Sequence, residues 1–255
     1  MREVQPTKPS RRVGLARALS KLGHCSRAQA FVLIRAGRVT LNDAVRKDPE
    51  APVRLEKDRI AVDHRPVAAQ DQTYLMLNKP RGVVSSAADE KGRSTVYACL
   101  SRDLPWVAPV GRLDKASEGL LLFTNDSEWS ARVLAPETHL QKAYHVQVDV
   151  VGDSSLLQRL LQGVQTNDGD LLRVKRARLL RQGEKNSWLE VVLDEGKNRH
   201  IRRLLEKQGI EVLRLVRVAI GPLALGELPK GAFRSLTADE KQALDRAMAT
   251  ARARR

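Results

Sequence analysis

A polar loop that leads directly into an apolar run is the segment best suited to chemistry in this sequence. Gly111 and Gly119 enclose the loop, and a run of strand length follows at 120–124. A buried strand holds such a loop rigidly, and functional side chains often lie on loops over a scaffold. The loop carries the polar side chains of Arg112, Asp114, Lys115, Ser117 and Glu118. Asp114 is therefore a candidate catalytic group, although an aspartate that caps a turn is the commoner explanation of such spacing alone.

A second informative segment is DEGKNRHIRRLLEKQG, residues 194–209. Helical spacing over 198–208 places three apolar residues on one face and three arginines on another. These are Ile201, Leu204 and Leu205, against Arg199, Arg202 and Arg203. An ordinary amphipathic helix is the alternative. With Lys197, however, four basic residues in seven exceed what solubility needs, so the segment predicts a cationic surface.

Other catalytic patterns are absent from the sequence. No glycine-rich loop ends in Gly-Lys-Ser/Thr, and no G-x-S-x-G turn occurs. The five histidines lack metal-ligand spacing, and the two cysteines, Cys25 and Cys99, form no zinc or disulfide motif. We therefore expect neither a metal nor a cofactor.

Composition narrows the class of partner. The 255 residues include 45 Lys and Arg against 30 Asp and Glu, a formal charge of +15, with 42% hydrophobic residues. This is enough for a packed core, and no run reaches the roughly 18 apolar residues of a membrane span. The first residues are basic without the apolar stretch of a secretory signal. A cytoplasmic protein that binds a polyanion, most plausibly nucleic acid, is expected, with no membrane partner.

The charge is unevenly distributed and suggests a domain boundary. Residues 1–66 carry a net +8, about half the excess, in a quarter of the chain. A Pro-, Ala- and Gln-containing stretch without periodicity follows. We predict a small domain at 11–66, a linker at 67–72, a larger domain at 73–240 and a basic C-terminal helix or tail at 241–255. The arginine-rich end lies at Arg252, Arg254 and Arg255.

The front domain reads as two helices followed by small strands. One helix spans Leu15–Leu22 and is stopped by Gly23, and a second follows a capping box of Ser26 and Gln29. Alternation at 39–42 and 59–63 predicts strands, with a turn at Asn42-Asp43. Arginines decorate both helices, and a helix N-terminus at Ser26-Arg27 offers free N–H groups to phosphate. A solvated face is the alternative for any single arginine.

The second domain reads as α+β with a mostly antiparallel sheet. Strands are predicted at 74–79, 120–124, 144–150, 188–193 and 211–218. Helices are predicted at 127–134 and 154–161, besides the one at 198–208. A capping box of Thr237 and Glu240 predicts a further helix near the C-terminus.

The front segment resembles a known RNA-binding module. GHCSRAQAFVLIRAGRVTLN, residues 23–42, matches the "GxCSRxxAxxLIxxGRVxxN" pattern of the module found in ribosomal small-subunit protein four. That module is two helices plus a β-hairpin that grips structured RNA. The resemblance implies RNA contacts from Arg17, Ser26, Arg27, Arg38 and Asn42.

The chain as a whole, over 11–240, resembles the Rsu-type family of rRNA pseudouridine synthases. GRLDKASEGLLLFTND resembles the family's signature around its catalytic aspartate, "GRLDxxTxGLLLLTND". Four further segments appear in the family's order: LNKPRGVVSS, HLQKAYHVQV, EGKNRHIRRLLE and VLRLVRVAIGPLALGEL. Ser117 stands where the family usually has Thr, and His200 where Gln is common, so a contact from residue 200 is in doubt.

The resemblance implies a role for individual residues. Asp114 would be the catalytic carboxylate, by attack on ribose, attack on the base or proton removal, and Arg112 would help hold the surroundings of the flipped nucleotide. Tyr144 would pack on the target uracil, Arg202 would be the basic partner of Asp114, and Leu213 would close the pocket. Further RNA contacts are expected from Lys79, Lys197, Arg199 and Arg203.

The resemblance also implies a substrate. We expect a monomer that isomerises one uridine in rRNA, free or in an assembling subunit, without a cofactor. Similarity in the "IGPLxLGxL" region favours large-subunit rRNA. The rival interpretations are a non-catalytic RNA-binding factor, and a DNA-binding regulator that uses the first two helices. The catalytic-type residues argue against the former, and the second domain against the latter.

Overall fold

The structure is a computed structural model that describes residues 12–86, 92–166, 169–194 and 197–253. The chain divides into two compact units. The first holds the described residues up to Thr73, together with Asp103–Ala108 and Asn125–Ser127, and the second holds the rest. The segment 67–72, expected as a linker, lies in the first unit. Val67 packs against its core and the Gln70 N–H donates to the Leu22 carbonyl over 3.1 Å.

Two short helices and small antiparallel strands form the first unit. Its elements are β1 Val13–Gly14, α1 Leu15–Lys21, α2 Arg27–Arg35, β2 Val39–Leu41, β3 Ala44–Val45, β4 Pro52–Val53, β5 Ile60–Val62 and β6 Arg65–Pro66. The capping box at the start of α2 is confirmed. Ser26 Oγ accepts from the Gln29 N–H, and the Gln29 side chain accepts from the Ser26 N–H.

The first unit's core is small and aliphatic. Buried residues of α1 and α2, such as Leu15, Leu19 and Ile34, pack against Val39 and Val62 of the small sheet. Asn42 and Asp43 both adopt positive φ, at 51° and 66°, and turn the chain from β2 into β3. The turn predicted at this position is therefore confirmed. Asparagine and aspartate suit it, because they tolerate this conformation best among residues with a side chain.

The second unit is built on one large mixed sheet. Its elements are β7 Tyr74–Lys79, β8 Ala108–Val110, β9 Glu118–Thr124, α3 Ser127–Leu134, β10 Lys142–Val148, α4 Ser154–Gln162, β11 Val164–Gln165, β12 Leu171–Leu172, β13 Arg176–Gln182, β14 Ser187–Leu193, α5 His200–Glu206, β15 Val212–Ile220, β16 Leu223–Ala224, β17 Phe233–Ser235 and α6 Ala238–Ala253.

The main sheet runs in the order β13-β14-β10-β15-β9-β7-β17, with β16 beside β15 and β8 beside β9. β9 pairs with β15 in parallel, whereas the pairings β13-β14, β14-β10, β10-β15, β15-β16, β9-β7 and β7-β17 are antiparallel. The fold class expected from the sequence, α+β with a mostly antiparallel sheet, is confirmed. No described helix is both long and apolar enough to cross a membrane.

Helices cover different parts of this sheet. α4 and α5 bury Leu156, Leu160, Ile201 and Leu204 against one face of β10, β14 and β15. α3 and α6 instead pack with Leu120 and Leu122 of β9 and with Met76 of β7. Their buried members include Trp129, Val133, Leu244 and Met248.

Gly119 permits the close parallel approach of β9 to β15. It adopts φ +101°, and a Cβ atom there would collide with the Arg217 backbone. Only glycine suits both the positive φ and the missing space. The sequence therefore needs glycine immediately before the apolar run of β9.

Two C-terminal expectations change. The helix predicted at 198–208 is shorter, because Arg199 takes φ +47° before α5 begins at His200. Of the helix or tail expected at 241–255, the helix is present as α6, but it is part of the second unit, since Leu244 and Met248 are buried in that unit's core. The capping box of Thr237 and Glu240 is confirmed. Arg254 and Arg255 lie outside the described residues.

Candidate active site

The loop between β8 and β9 presents Asp114 at the end of a buried strand. All seven residues of β9 are buried, whereas Asp114 is half-buried and Arg112 is exposed. Leu113 and Ser117, on either side, are buried and anchor the loop. The predicted arrangement, a polar loop on a rigid strand, is present.

Lys79, the last residue of β7, supports this loop from below. Its side chain is completely buried. Nζ donates to the carbonyl oxygens of Asp114 at 3.1 Å, Ser117 at 2.8 Å and Pro80 at 3.1 Å. Three acceptors match the three N–H donors of an ammonium group. The prediction that Lys79 contacts RNA is wrong, because the ammonium group is buried and all three of its N–H donors are used by carbonyls.

Burial also changes the acidity of Lys79. Removal from water lowers the pKa of Lys79 from 10.5 to about 8, and the negative charge of Asp114 opposes that shift. Desolvation disfavours the charged form of a lysine, and a nearby carboxylate favours it. Lys79 therefore titrates much nearer to neutral pH than an exposed lysine.

The remaining carbonyls of the loop are also held. Ser85 Oγ donates to the Leu113 carbonyl at 2.8 Å and accepts from the Leu113 N–H at 3.2 Å. The Gly82 N–H donates to the Lys115 carbonyl at 2.8 Å. Arg202 Nη2 donates to the Ala116 carbonyl at 3.2 Å. Each carbonyl from Leu113 to Ser117 thus accepts at least one hydrogen bond, so the backbone around Asp114 is fixed.

Arg202 acts on the loop backbone and forms no ion pair with Asp114 among the described residues. Its second nitrogen, Nη1, donates to the Val212 carbonyl of β15 at 3.2 Å, so the guanidinium ties the loop to that strand. Burial lowers the pKa of Arg202, and the charge of Asp114 opposes this. The two charges attract, so the partnership of Arg202 with Asp114 expected from the sequence stays a prediction, while both guanidinium Nη groups donate to backbone carbonyls.

Tyr144 and Leu213 lie on neighbouring strands of the main sheet. Tyr144, in β10, is half-buried and packs on the core formed with α4 and α5. It is opposite Val191 on one side and Arg217 on the other. Leu213 sits at an irregularity of β15, where Gln147 pairs with Arg214 and Val148 pairs with Val212. The bulge leaves Leu213 half-buried, and its carbonyl accepts from Arg81 Nη1 at 3.4 Å.

A cleft of about 740 Å³ opens beside Asp114. Arg112 and Asp114 both line it, as the sequence predicts, and Ser85, Ser86 and Arg93 line it as well. Tyr144, Arg202 and Leu213 are not among its described lining residues. Ser85 and Ser86 end the LNKPRGVVSS segment without having been singled out in the sequence, and Arg93 lies outside every quoted motif.

The basic segment before and within α5 is less uniform than its spacing suggests. Lys197 forms an ion pair with Asp170 at 3.2 Å. Arg199 is exposed and precedes the helix, while Arg203 is half-buried. The prediction that Arg199, Arg202 and Arg203 share one helical face is therefore wrong. Only Arg202 and Arg203 belong to the helix, and Arg202 points to the loop that carries Asp114.

The RNA-contact candidates of the first unit also separate into two kinds. Arg17 and Arg27 are exposed. Arg38 Nε donates to Asp63 Oδ1 at 2.8 Å, so its charge is partly compensated. The Asn42 side chain accepts from the Arg59 N–H at 2.9 Å and donates to Asp58 at 3.2 Å. Asn42 and Ser26 thus hold the local fold, whereas Arg17 and Arg27 remain available.

Arg217 is a buried cation that was not identified from the sequence. Only 6% of it is exposed, and its Nε donates to the Leu120 carbonyl at 2.7 Å. Its positive charge lowers the pKa of nearby Lys142, in addition to the larger effect of burial. It lies in the VLRLVRVAIGPLALGEL segment, so the motif was noticed but the buried position of this side chain was not.

Comparison with known proteins agrees with this architecture. The family model described as "RNA pseudouridylate synthase" matches residues 73–207, and the S4 domain model matches residues 13–67. The chain therefore belongs to the RNA pseudouridylate synthase family and carries an S4 domain. The family resemblance noted in the sequence is confirmed.

Individual relatives span both units. An "Uncharacterized RNA pseudouridine synthase" of Aquifex aeolicus (strain VF5) is 38% identical over 238 residues, covering 92% of this chain and 95% of that protein. A "Ribosomal large subunit pseudouridine synthase B" of Bacillus subtilis (strain 168) is 35% identical over 232 residues, covering 90% and 94%. A crystal structure of a pseudouridylate synthase superposes with a TM-score of 0.64 at 28% identity, covering 91% and 99%.

Proposed function

We propose that this protein converts a specific uridine of large-subunit rRNA to pseudouridine, with Asp114 as the catalytic carboxylate and without a cofactor. The observation that carries the proposal is the loop Leu113–Ser117, in which every carbonyl is held and one half-buried carboxylate faces a cleft. Preorganised geometry of this kind is what catalysis requires. The names of several relatives support rRNA of the large subunit as substrate.

The reaction moves a bond within one nucleotide. The bond between ribose and the uracil nitrogen breaks, the base turns, and a carbon–carbon bond forms at carbon 5 as its proton leaves. The product is an isomer of the substrate, so no net oxidation occurs. Attack on ribose, attack on the base and removal of a ribose proton all require an ionised Asp114 carboxylate.

The target uridine must leave its stack before it reacts. Extruding a base costs a few kcal/mol, and stacking on an aromatic side chain offsets part of that cost. Tyr144 is the proposed stacking surface and Leu213 the proposed apolar wall, while Arg112 would hold the surroundings of the nucleotide. The adjacent strands β10 and β15 fix the spacing of Tyr144 and Leu213.

RNA affinity is proposed to come from cations in both units. Arg17 and Arg27 in the first unit, with Lys197, Arg199 and Arg203 in the second, are the candidates for phosphate contacts. Such contacts release counterions and supply sequence-independent affinity. In this proposal the protein works as a cytoplasmic monomer on free rRNA or an assembling subunit.

Asp114→Asn tests the catalytic role. We expect isomerisation to fall by at least about 100-fold, because the amide is neither a base nor a nucleophile of comparable strength. Release of tritium from large-subunit rRNA labelled at uracil carbon 5 measures the chemistry, and filter binding measures affinity. Asp239→Asn makes the same chemical change on the exposed start of α6 and should leave both unchanged.

Normal tritium release by Asp114→Asn would refute the catalytic role. RNA binding by the wild-type protein without any tritium release from large-subunit rRNA would favour the rival function, a non-catalytic RNA-binding factor.

A further inference from the structure

The main sheet carries a second polar face, on the side of β10 and β14 opposite the core formed with α4 and α5. In β14, Leu189, Val191 and Leu193 enter that core, so Trp188 and Glu190 point the other way. Cross-strand register places side chains of β13, β10 and β15 beside them. We call this surface the Trp188 face, formed by His145, Gln147, Arg176, Arg178, Arg181, Trp188, Glu190 and Arg214.

A bulge in β13 determines the composition of the Trp188 face. Leu179 pairs with Leu189, but Arg181 pairs with Trp188, which leaves Leu180 as the extra residue. Without this irregularity, Leu180 would oppose Trp188 and Arg181 would turn to the other side. The bulge therefore exchanges a leucine for an arginine beside the tryptophan.

Two guanidinium groups lie over the indole ring of Trp188. The Cζ atom of Arg181 is 5.0 Å from the ring centroid, and the Cζ atom of Arg214 is 5.4 Å away. Both distances are within the range of cation–π attraction. Each guanidinium therefore holds a positive charge against the indole ring of Trp188.

The Trp188 face is positively charged and accessible. Glu190 binds Arg178 at 3.3 Å and lies 3.9 Å from His145, while buried Glu118 binds Arg214 at 3.3 Å. Arg176 and Arg181 form no ion pair with a carboxylate in the described part of the chain. Side-chain exposures of 64% for Arg178 and 43% for Arg214 leave their charges open to a ligand.

We propose that the Trp188 face binds a single-stranded segment of the RNA substrate, at a site separate from the Asp114 cleft. Unpaired bases stack on aromatic rings and on guanidinium planes, and arginines bind the adjoining phosphates. A duplex hides its base faces and cannot use Trp188 in this way. That the RNA is rRNA rests on the proposed function.

Tyr144 shows that this face differs from the proposed catalytic surface. Tyr144 packs on the core formed with α4 and α5, whereas its neighbour His145 lies 3.9 Å from Glu190 on the Trp188 face. Consecutive strand residues point to opposite sides of a sheet. RNA on the Trp188 face therefore adds affinity without occupying the position proposed for the reacting uracil.

Tryptophan fluorescence of the full chain reports on this face directly. Quenching by a 12-nucleotide oligouridylate is measured in the wild-type protein and in Trp188→Phe, and the difference isolates Trp188 from Trp106 and Trp129. We expect saturable quenching in that difference and none with a 12-base-pair RNA duplex. Asp114→Asn should retain the Trp188-specific quenching, so a failure of the proposed activity and a failure of this binding site can be told apart.

Charge variants test the phosphate contacts. Arg176→Gln/Arg181→Gln should weaken the quenching midpoint about tenfold, and the slope of log affinity against log salt should fall by about 1.4, since two single-strand phosphate contacts are lost. Arg132→Gln/Arg246→Gln removes two exposed charges from α3 and α6 and should shift the midpoint less than about twofold.

Three results would overturn the proposal. They are no Trp188-specific quenching, equal quenching by the duplex, and equal sensitivity of the two double variants. Equal quenching by a 12-residue polyglutamate would instead identify a surface for acidic proteins. Trp188→Phe with a wild-type melting temperature excludes misfolding as the cause of any loss.

Discussion

Basic residues near Asp114 and basic residues of the first unit use their charge in opposite ways. Lys79 and Arg202 turn inward and donate to backbone carbonyls of the loop that carries Asp114. Arg17 and Arg27 lie exposed on the first two helices. A net charge of +15 therefore combines cations that position the loop carrying Asp114 with cations available to a polyanion. The comparison predicts that the first kind governs turnover and the second governs affinity.

Among variants of these two kinds of cation, the largest effect is expected from removing the inward lysine. Lys79→Met leaves the carbonyls of Asp114, Ser117 and Pro80 without their shared donor, so the loop should lose its fixed geometry. We expect kcat to fall about 100-fold, the scale associated with a misplacement of about 1 Å, with RNA affinity within about twofold of wild type. Tritium release and filter binding measure the two quantities.

Lys185→Met is the matched control, because Lys185 is exposed in the turn between β13 and β14. It should leave kcat unchanged. A Lys79→Met protein with normal kcat and a normal melting temperature would show that the buried ammonium does not position the loop.

The pH dependence of turnover should separate the role of Lys79 in catalysis from its role in stability. Its ammonium is lost as the pH passes the pKa of about 8, and the neutral amine has only two donors for three carbonyls. We therefore expect kcat to fall above about pH 8, by up to about tenfold per pH unit.

Stability should respond with the opposite sign. Folding lowers the pKa of Lys79 from 10.5 to about 8, so between those values the unfolded chain binds more protons than the folded one. The contribution of Lys79 to the free energy of unfolding then rises with pH across this window. Thermal melts compared between wild type and Lys79→Met measure this contribution.

The kcat prediction has its own refuting result. A kcat that stays constant up to pH 9.5 would show that the charged form of Lys79 is not needed to position the loop.

An intermediate effect is expected from the exposed arginines of the first unit. Arg17→Gln/Arg27→Gln in the full chain should weaken RNA binding about tenfold. The slope of log affinity against log salt should also fall by about 2, because each lost phosphate contact reduces it by about 1. The rate at saturating RNA should not change. Filter binding across a salt series measures the slope.

Arg38→Gln provides the control within the same unit, since Asp63 already compensates the charge of Arg38. Its effect on the salt slope should be smaller than that of either exposed arginine. If Arg38→Gln weakened binding as much as the double variant, exposure would not distinguish these residues.

The smallest effect is expected at Tyr144. Tyr144→Phe keeps the ring that is proposed to stack on uracil and removes only the hydroxyl, so kcat should fall less than about threefold. Tritium release at saturating RNA measures it. A near-total loss would assign the hydroxyl a part in the reaction.

Local patterns were enough to predict much of the fold. The continuous apolar run of β9, the capping boxes at Ser26 and Thr237, and the Asn42-Asp43 turn are decided by neighbouring residues, and all are present. β13 was missed because RARLLRQ has no clear alternation and a bulge at Leu180 shifts its register. A period-2 pattern cannot reveal a strand whose period is interrupted.

The candidate site was predictable in its identity and not in its connections. The loop and Asp114 follow from sequence, but the burial of Lys79 depends on carbonyls 35 and 38 residues later in the chain. Arg202 similarly reaches Ala116, 86 residues earlier. A lysine beside a proline, or an arginine at helical spacing, looks exposed until tertiary contacts decide otherwise.

Pseudouridine mapping in living cells tests the central claim most directly. Large-subunit rRNA is compared between a strain that lacks this protein and the same strain supplied with wild type or Asp114→Asn. We predict one pseudouridine that is missing from the deletion strain, restored by wild type and not restored by Asp114→Asn. An unchanged set of pseudouridines in the deletion strain, or restoration by Asp114→Asn, would contradict the account.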